Sequence, residues 1–310
     1  MKAIDYPLIR NIFKGDAIMK THSQHLKRTP GNERGMTLME LLVATVLGMI
    51  IMTGAFKFFI TQTKNFNLSR QAAEMQQEIR HAMNFLNEHV KLAGNGVPPT
   101  SGFQVLDNYD GGSGPDSLCV IGSFRSLVIA TDQKMGNSGS QVKVDDSAGV
   151  GVGDLIVISY PPNGWQDMFI VTKMNDLHLW HDKFLPWNET NKLNNAYPLG
   201  STVTVVTHYS FFAETDDDGR MNLMVQTQAY EPMILAGDID DFQIRFKLSN
   251  NSWVDEPYDL LDVRMVEISL RLKSPMPIQG YTDPVYGDEF NRVELKSIVI
   301  PKNIVIVSNS

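Results

Sequence analysis

The sequence predicts an α+β protein: a long N-terminal α-helix, transmembrane in its first part and amphipathic in its second, packed on an antiparallel β-sheet that carries a β-rich insertion. Three observations predict it. Residues 36–56 form an apolar run broken by a single charge, Glu40. Residues 57–93 contain no proline or glycine and place Met75, Ile79, Ala82, Met83, Leu86, Val90 and Ala93 three or four apart, one stripe of a helix. Beyond Pro99, short alternating runs separated by turn clusters replace that period, as half-buried strands require.

The first element is a basic leader, residues 1–35, with seven Lys/Arg and three Asp/Glu. Such a segment stays on the cytoplasmic side of a membrane. Met19 offers an alternative start to Met1. The remaining chain holds 20 basic against 32 acidic residues, from totals of 27 and 35. A body that acidic argues against direct nucleic-acid binding, which needs a basic face.

Residues 36–56 are long enough to span a hydrocarbon layer of about 30 Å at about 1.5 Å per helical residue. A secretory signal would place its cleavage site after the apolar core; here a glycine, Gly35, precedes it. Glu40 stands five residues into this run, where a carboxylate costs about 2.5 kcal/mol or more and is retained for function. The competing reading is a glutamate near the interface whose side chain reaches headgroup water.

Polar residues fill the positions between the stripe in residues 57–93, and Gly94-Asn95-Gly96 before Pro98-Pro99 ends the helix. One helix over residues 36–92 would measure roughly 85 Å. The body, residues 94–310, then offers strands near 117–121, 127–131, 141–144, 155–159, 168–174 and 177–180. Residues 203–209 and 221–228 form a hairpin through Asp216-Asp217-Asp218-Gly219-Arg220. Residues 242–246, 266–272 and 293–300 alternate apolar and polar side chains. Residues 122–207 read as an insertion between core strands.

The run Gly35-Met36-Thr37-Leu38-Met39-Glu40-Leu41-Leu42-Val43-Ala44 resembles the class III signal of type IV pilins and pseudopilins. The resemblance implies cleavage after Gly35 by a prepilin peptidase, N-methylation of Met36, and pairing of Glu40 with the N-terminal amine of a neighbouring subunit. It implies a single-pass inner-membrane protein, leader cytoplasmic and body periplasmic, that later joins a pilus or the cell surface. Its implied partners are other minor and major pilins and the inner-membrane assembly platform. Residues 151–159, 234–246 and 263–275 are similar to PilW-type minor pilins, and residues 251–272 also to the J-type minor pseudopilin of type II secretion. Pilus assembly or initiation at the tip is thus the expected function. A J-type pseudopilin, and from another class a membrane-anchored calcium-dependent adhesin, are the alternatives.

Nothing in the chain points to an enzyme: GxSxG, HExxH and P-loop patterns are absent. The single Cys119 excludes an intramolecular disulfide and reads as a small buried hydrophobe in a strand. Glu214, Asp216 and Asp218 with Gly219 match the first half of a calcium loop, although Val225 stands where a bidentate glutamate belongs. An acidic hairpin tip is the plainer reading, and the loop at 107–116 invites the same two. His178 and His181 lack a third ligand nearby in sequence for zinc. Trp165, Trp180, Trp187 and Trp253 are packing residues or a binding platform.

Overall fold

The computed structural model describes residues 36–97, 106–109, 112, 114–124, 128–135, 141–183, 190–257 and 262–303. The leader, Gly35, Asp110, Trp187 and residues 304–310 lie outside them. The chain divides into two compact units, Met1–Ile60 and Thr61–Ser310, and helix α1, Leu38–Lys91, contributes to both.

In the first unit every described side chain, residues 36–60, is exposed. The helix is long and apolar enough to cross a membrane. A helix that is apolar all round needs a nonaqueous surrounding, such as lipid.

In the second unit the α1 stripe is buried throughout, from Met75 to Val90, and Ala93 extends it past the last helical turn. It packs against Leu106, Leu118, Phe211, Leu223, Phe242, Ile244, Ile268 and Leu270, the inward residues of the strands around it. Fifteen strands are present among the described residues. The first eight are β1 (Leu106–Tyr109), β2 (Ser117–Gly122), β3 (Val128–Ala130), β4 (Gln141–Lys143), β5 (Leu155–Tyr160), β6 (Trp165–Ile170), β7 (Lys173–Asn175) and β8 (His178–Trp180). The others are β9 (Thr202–Thr215), β10 (Met221–Thr227), β11 (Tyr230–Ala236), β12 (Ile239–Leu248), β13 (Trp253–Val254), β14 (Val263–Lys273) and β15 (Arg292–Val299). One antiparallel path runs β1-β2-β9-β10-β11, and a four-stranded sheet runs β13-β12-β14-β15. Asp116 joins the two: its N–H donates to the Phe242 carbonyl at 2.7 Å, and its carboxylate accepts from Ile244 N at 2.7 Å.

Strand β9 serves two cores. Its later residues pair with β2 and β10 under the helix, whereas residues 202–206 pair with β3 on one side and β5 on the other. From β3 the hydrogen bonding passes to β4 through Thr131 and Val144, then to β8 and β7. Thr172 N donates to Trp180 O, so β6 and β7 form one bent strand that leads back to β5. The ring is therefore closed, a small barrel around Ile129, Val142, Val144, Ile156, Ile158, Phe169, Leu179 and Val203.

Three expectations are corrected. The single strand expected over 168–174 bends at Val171 and Thr172, where its partner changes from β5 to β8. Cys119 is half-buried rather than enclosed: the pleat turns Leu118 and Val120 to the core and leaves the thiol beside the Ser210 hydroxyl at 3.5 Å. The hairpin is longer than expected, since β9 continues through Thr215.

Candidate functional site

The start of α1 is built by Thr37 and Glu40. The Glu40 carboxylate accepts from Thr37 N at 2.9 Å and from the Thr37 hydroxyl at 3.1 Å, while Glu40 N donates to Thr37 Oγ1 at 3.2 Å. This is a reciprocal capping box that satisfies orphan amides of the first turn. A carboxylate in the first turn also complements the positive end of the helix. Met36, directly before the cap, is exposed, as are all side chains of the span. The site thus presents one carboxylate on an otherwise apolar helix end. Thr37 was not singled out from the sequence, although the Thr-x-x-Glu spacing before an apolar run is a capping signature.

The acidic residues proposed for calcium stand at the β9–β10 turn. Asp216 accepts from Arg220 N at 2.8 Å and Asp218 N at 3.1 Å, and its other oxygen meets Arg220 Nε at 3.2 Å. Arg220 also reaches Asp218 at 3.3 Å. The guanidinium thus sits between the two carboxylates, and Glu214 pairs across the ladder with Asn222. Backbone donors and Arg220 hold the Asp216 carboxyl below its ordinary range. Among the described residues no group of three His, Cys, Asp or Glu side chains is placed to hold a metal ion.

The three described tryptophans do not share one neighbourhood. Trp165 packs near Tyr160 and Tyr197, Trp180 near His178 and Lys173, and Trp253 between Arg245 and Lys247. His181 is buried against Phe169, whereas His178 lies half-buried beside Trp180.

Residues 30–56 match the prokaryotic N-terminal methylation motif. That match places Gly35, Met36, Thr37 and Glu40 inside one prepilin-type signal, and it supports a type IV pilin-like or pseudopilin protein. The motif implies processing by a prepilin peptidase and assembly with other pilins, and the apolar helix supports membrane anchoring. Comparison with characterised proteins and with solved structures yields no match.

Two further clusters were not foreseen. On β6, Asp167 is buried and accepts from Asn194 N, Asn195 N and the Tyr197 hydroxyl, closing one end of the barrel. At the start of β15, Arg292 binds Asp240 and Asp288 and holds the loop before it. Asp167 and its partners lie 27 to 30 positions apart, and Arg292 and Asp240 lie 52 apart, so no local pattern announces either cluster.

Proposed function

We propose that this chain is a minor pilin of a type IV pilus, cleaved after Gly35, N-methylated at Met36, and acting in filament initiation at the tip without catalytic chemistry. The carrying observation is the coincidence of the methylation motif with Glu40 in the first turn of an exposed apolar helix. Cleavage would remove the basic leader and leave a charged amine beside Thr37. Alone in an apolar bundle an amine and a carboxylate would each be costly, and pairing them between subunits offsets that cost. Glu40 would then exchange its contacts with Thr37 for the amine of a neighbour. The leader would remain cytoplasmic and the acidic body would face the periplasm.

The J-type pseudopilin reading uses the same residues, and it draws support from residues 251–272, which cover β13 and most of β14. Complementation of a deletion strain with the Glu40→Ala variant tests the shared mechanism. Loss of surface pili supports the minor-pilin role and loss of type II secretion supports the pseudopilin. Normal piliation together with normal secretion would overturn both. Mass spectrometry of the mature protein should find N-methylated Met36 as its first residue.

A further inference from the structure

His89 occupies the last turn of α1 and is only 7% exposed. Its ring stacks on Phe85 at 4.1 Å and is enclosed by Tyr209 at 4.3 Å, Phe124 at 4.7 Å and Phe211 at 6.2 Å. Nδ1 donates to the Phe85 carbonyl at 2.7 Å, which directs the other ring nitrogen away from that carbonyl. The imidazole is therefore a wedge that ties the end of the helix to β9.

The junction also lies beside the residues that stop the helix. Gly94 N donates to Ile121 O at 2.8 Å, and Ser123 N to Asn95 O at 2.7 Å. His208, next to Tyr209 on β9, pairs with Ile121 across the ladder and is half-buried. His208 alternates with Tyr209 along β9, so the pleat places it on the opposite face of the strand from the His89 cage.

Several groups act on the charge of His89. On its own helix, Glu88 and the Phe85 carbonyl favour the imidazolium, as does the negative end of the helix; Lys91 is the other basic residue of that turn. From β9 the facing titratable group is Tyr209, with His208 one residue away on the opposite face of the strand; Phe124 contributes only its ring. Burial outweighs the favourable contacts and pushes His89 below the ordinary histidine range. Burial alone pushes His208 the same way.

We propose that caged His89 is an acid-sensitive clamp: its protonation releases the last turn of α1 and residues 92–97 from β2 and β9. The direction follows from linkage. A histidine held neutral in the folded protein binds its proton more readily once exposed. The docked state is therefore fully favoured above the ordinary histidine range and loses ground as pH falls through about 6.5. Each pH unit of displacement corresponds to about a tenfold change in the open-to-docked ratio.

Amide exchange of the full chain in detergent micelles, corrected for the intrinsic pH dependence of exchange, tests the proposal. Between pH 7.5 and pH 5, protection across residues 85–95 should fall several-fold in the wild-type protein and by clearly less in His89→Phe, which keeps an aromatic ring in the cage and leaves only His208 of the two histidines to titrate. Equal protection at both pH values in the wild type, or an equal fall in both proteins, would overturn the clamp. A proton-resonance titration of His89 in the wild-type protein gives a second readout that needs no variant: a midpoint at or above 6.5 would also overturn it.

Discussion

Arg292 grips Asp288 with both terminal nitrogens, each 2.7 Å from a carboxylate oxygen, and its Nε reaches Asp240 at 3.0 Å. Asp240 also binds Arg271 at 2.7 Å, and Tyr286 lies 4.2 Å above the Arg292 guanidinium. The side chain of Arg292 is 10% exposed and that of Asp240 is 15% exposed. Removing Arg292 takes the bidentate partner from Asp288, while Asp240 keeps Arg271. Arg292→Ala should lower the melting midpoint by roughly 6–10 °C, and Arg292→Lys by less, because lysine keeps the charge without the planar fork. Thermal melts of the three proteins check the order.

The same pair sets an acid limit. The bidentate bond from Arg292 holds the Asp288 carboxyl down at about 2. Its folded value lies below its unfolded one, so its contribution is complete above the ordinary carboxylate range and disappears as pH falls through about 2. Melting midpoints between pH 5 and pH 2 should therefore decline less steeply in Arg292→Ala than in the wild type.

At the end of the barrel, the Tyr197 hydroxyl donates to Asp167 at 2.9 Å while its ring is fully buried. Burial and the neighbouring carboxylate push the phenol far up, so it remains a donor at every working pH. Tyr197→Phe removes one bond to a charged acceptor and should cost about 1.5–3 kcal/mol. Asp167→Ala should cost more, because the Asn194 and Asn195 amides lose the same acceptor. Denaturant melts read both.

These clusters show where the sequence was readable. The helix stripe repeats over neighbouring turns, so the sequence alone assigns all seven of its residues to the core, where they are buried. Glu40 was conspicuous because it is one charge in a long apolar run. Arg292 and Asp240 are 52 positions apart, and Asp167 and Tyr197 are 30 apart. Only closure of the sheets brings them together. The barrel was hidden for the same reason: β3 meets β9 through pairs such as Val128 with Thr204, and a bend, rather than a turn signal, passes the chain from β6 to β7. Strand β11 gave no alternation because Tyr230, Met233 and Ile234 are all exposed at the end of the sheet path. At the acidic turn the carboxylate spacing was visible, and Arg220 was too, but not which group the carboxylates would hold.

Two substitutions separate the cap from the charge at the start of α1. Glutamine at position 40 keeps the acceptor that caps Thr37 and lacks the negative charge. Thr37→Ala keeps the charge and loses a cap worth about 1 kcal/mol. If assembly needs an ion pair, Glu40→Gln should retain helix at residues 38–42 in micelles and fail to restore filaments, whereas Thr37→Ala should fray that turn and still assemble. Rescue by Glu40→Gln would assign Glu40 a capping role instead.

Gly122 marks a close approach of helix end and sheet. A Cβ there would stand 2.7 Å from the Leu92 carbonyl oxygen and 3.4 Å from the Phe124 ring. The first obstacle is backbone, so no rotamer change relieves it. Neither the helix end nor β2 can withdraw freely, because Gly94 N to Ile121 O and Ser123 N to Asn95 O bracket the contact on both sides. Gly122→Ala should therefore cost about 1–3 kcal/mol through overpacking. It should also raise amide exchange at Gly94 and Ser123, since displacement must lengthen those bonds. Gly151→Ala is the matching control: its nearest neighbour would be Asp154 Oδ2 at 3.8 Å, an ordinary contact. A melt in which both variants match the wild type would show that the helix end is not seated on β2 as described.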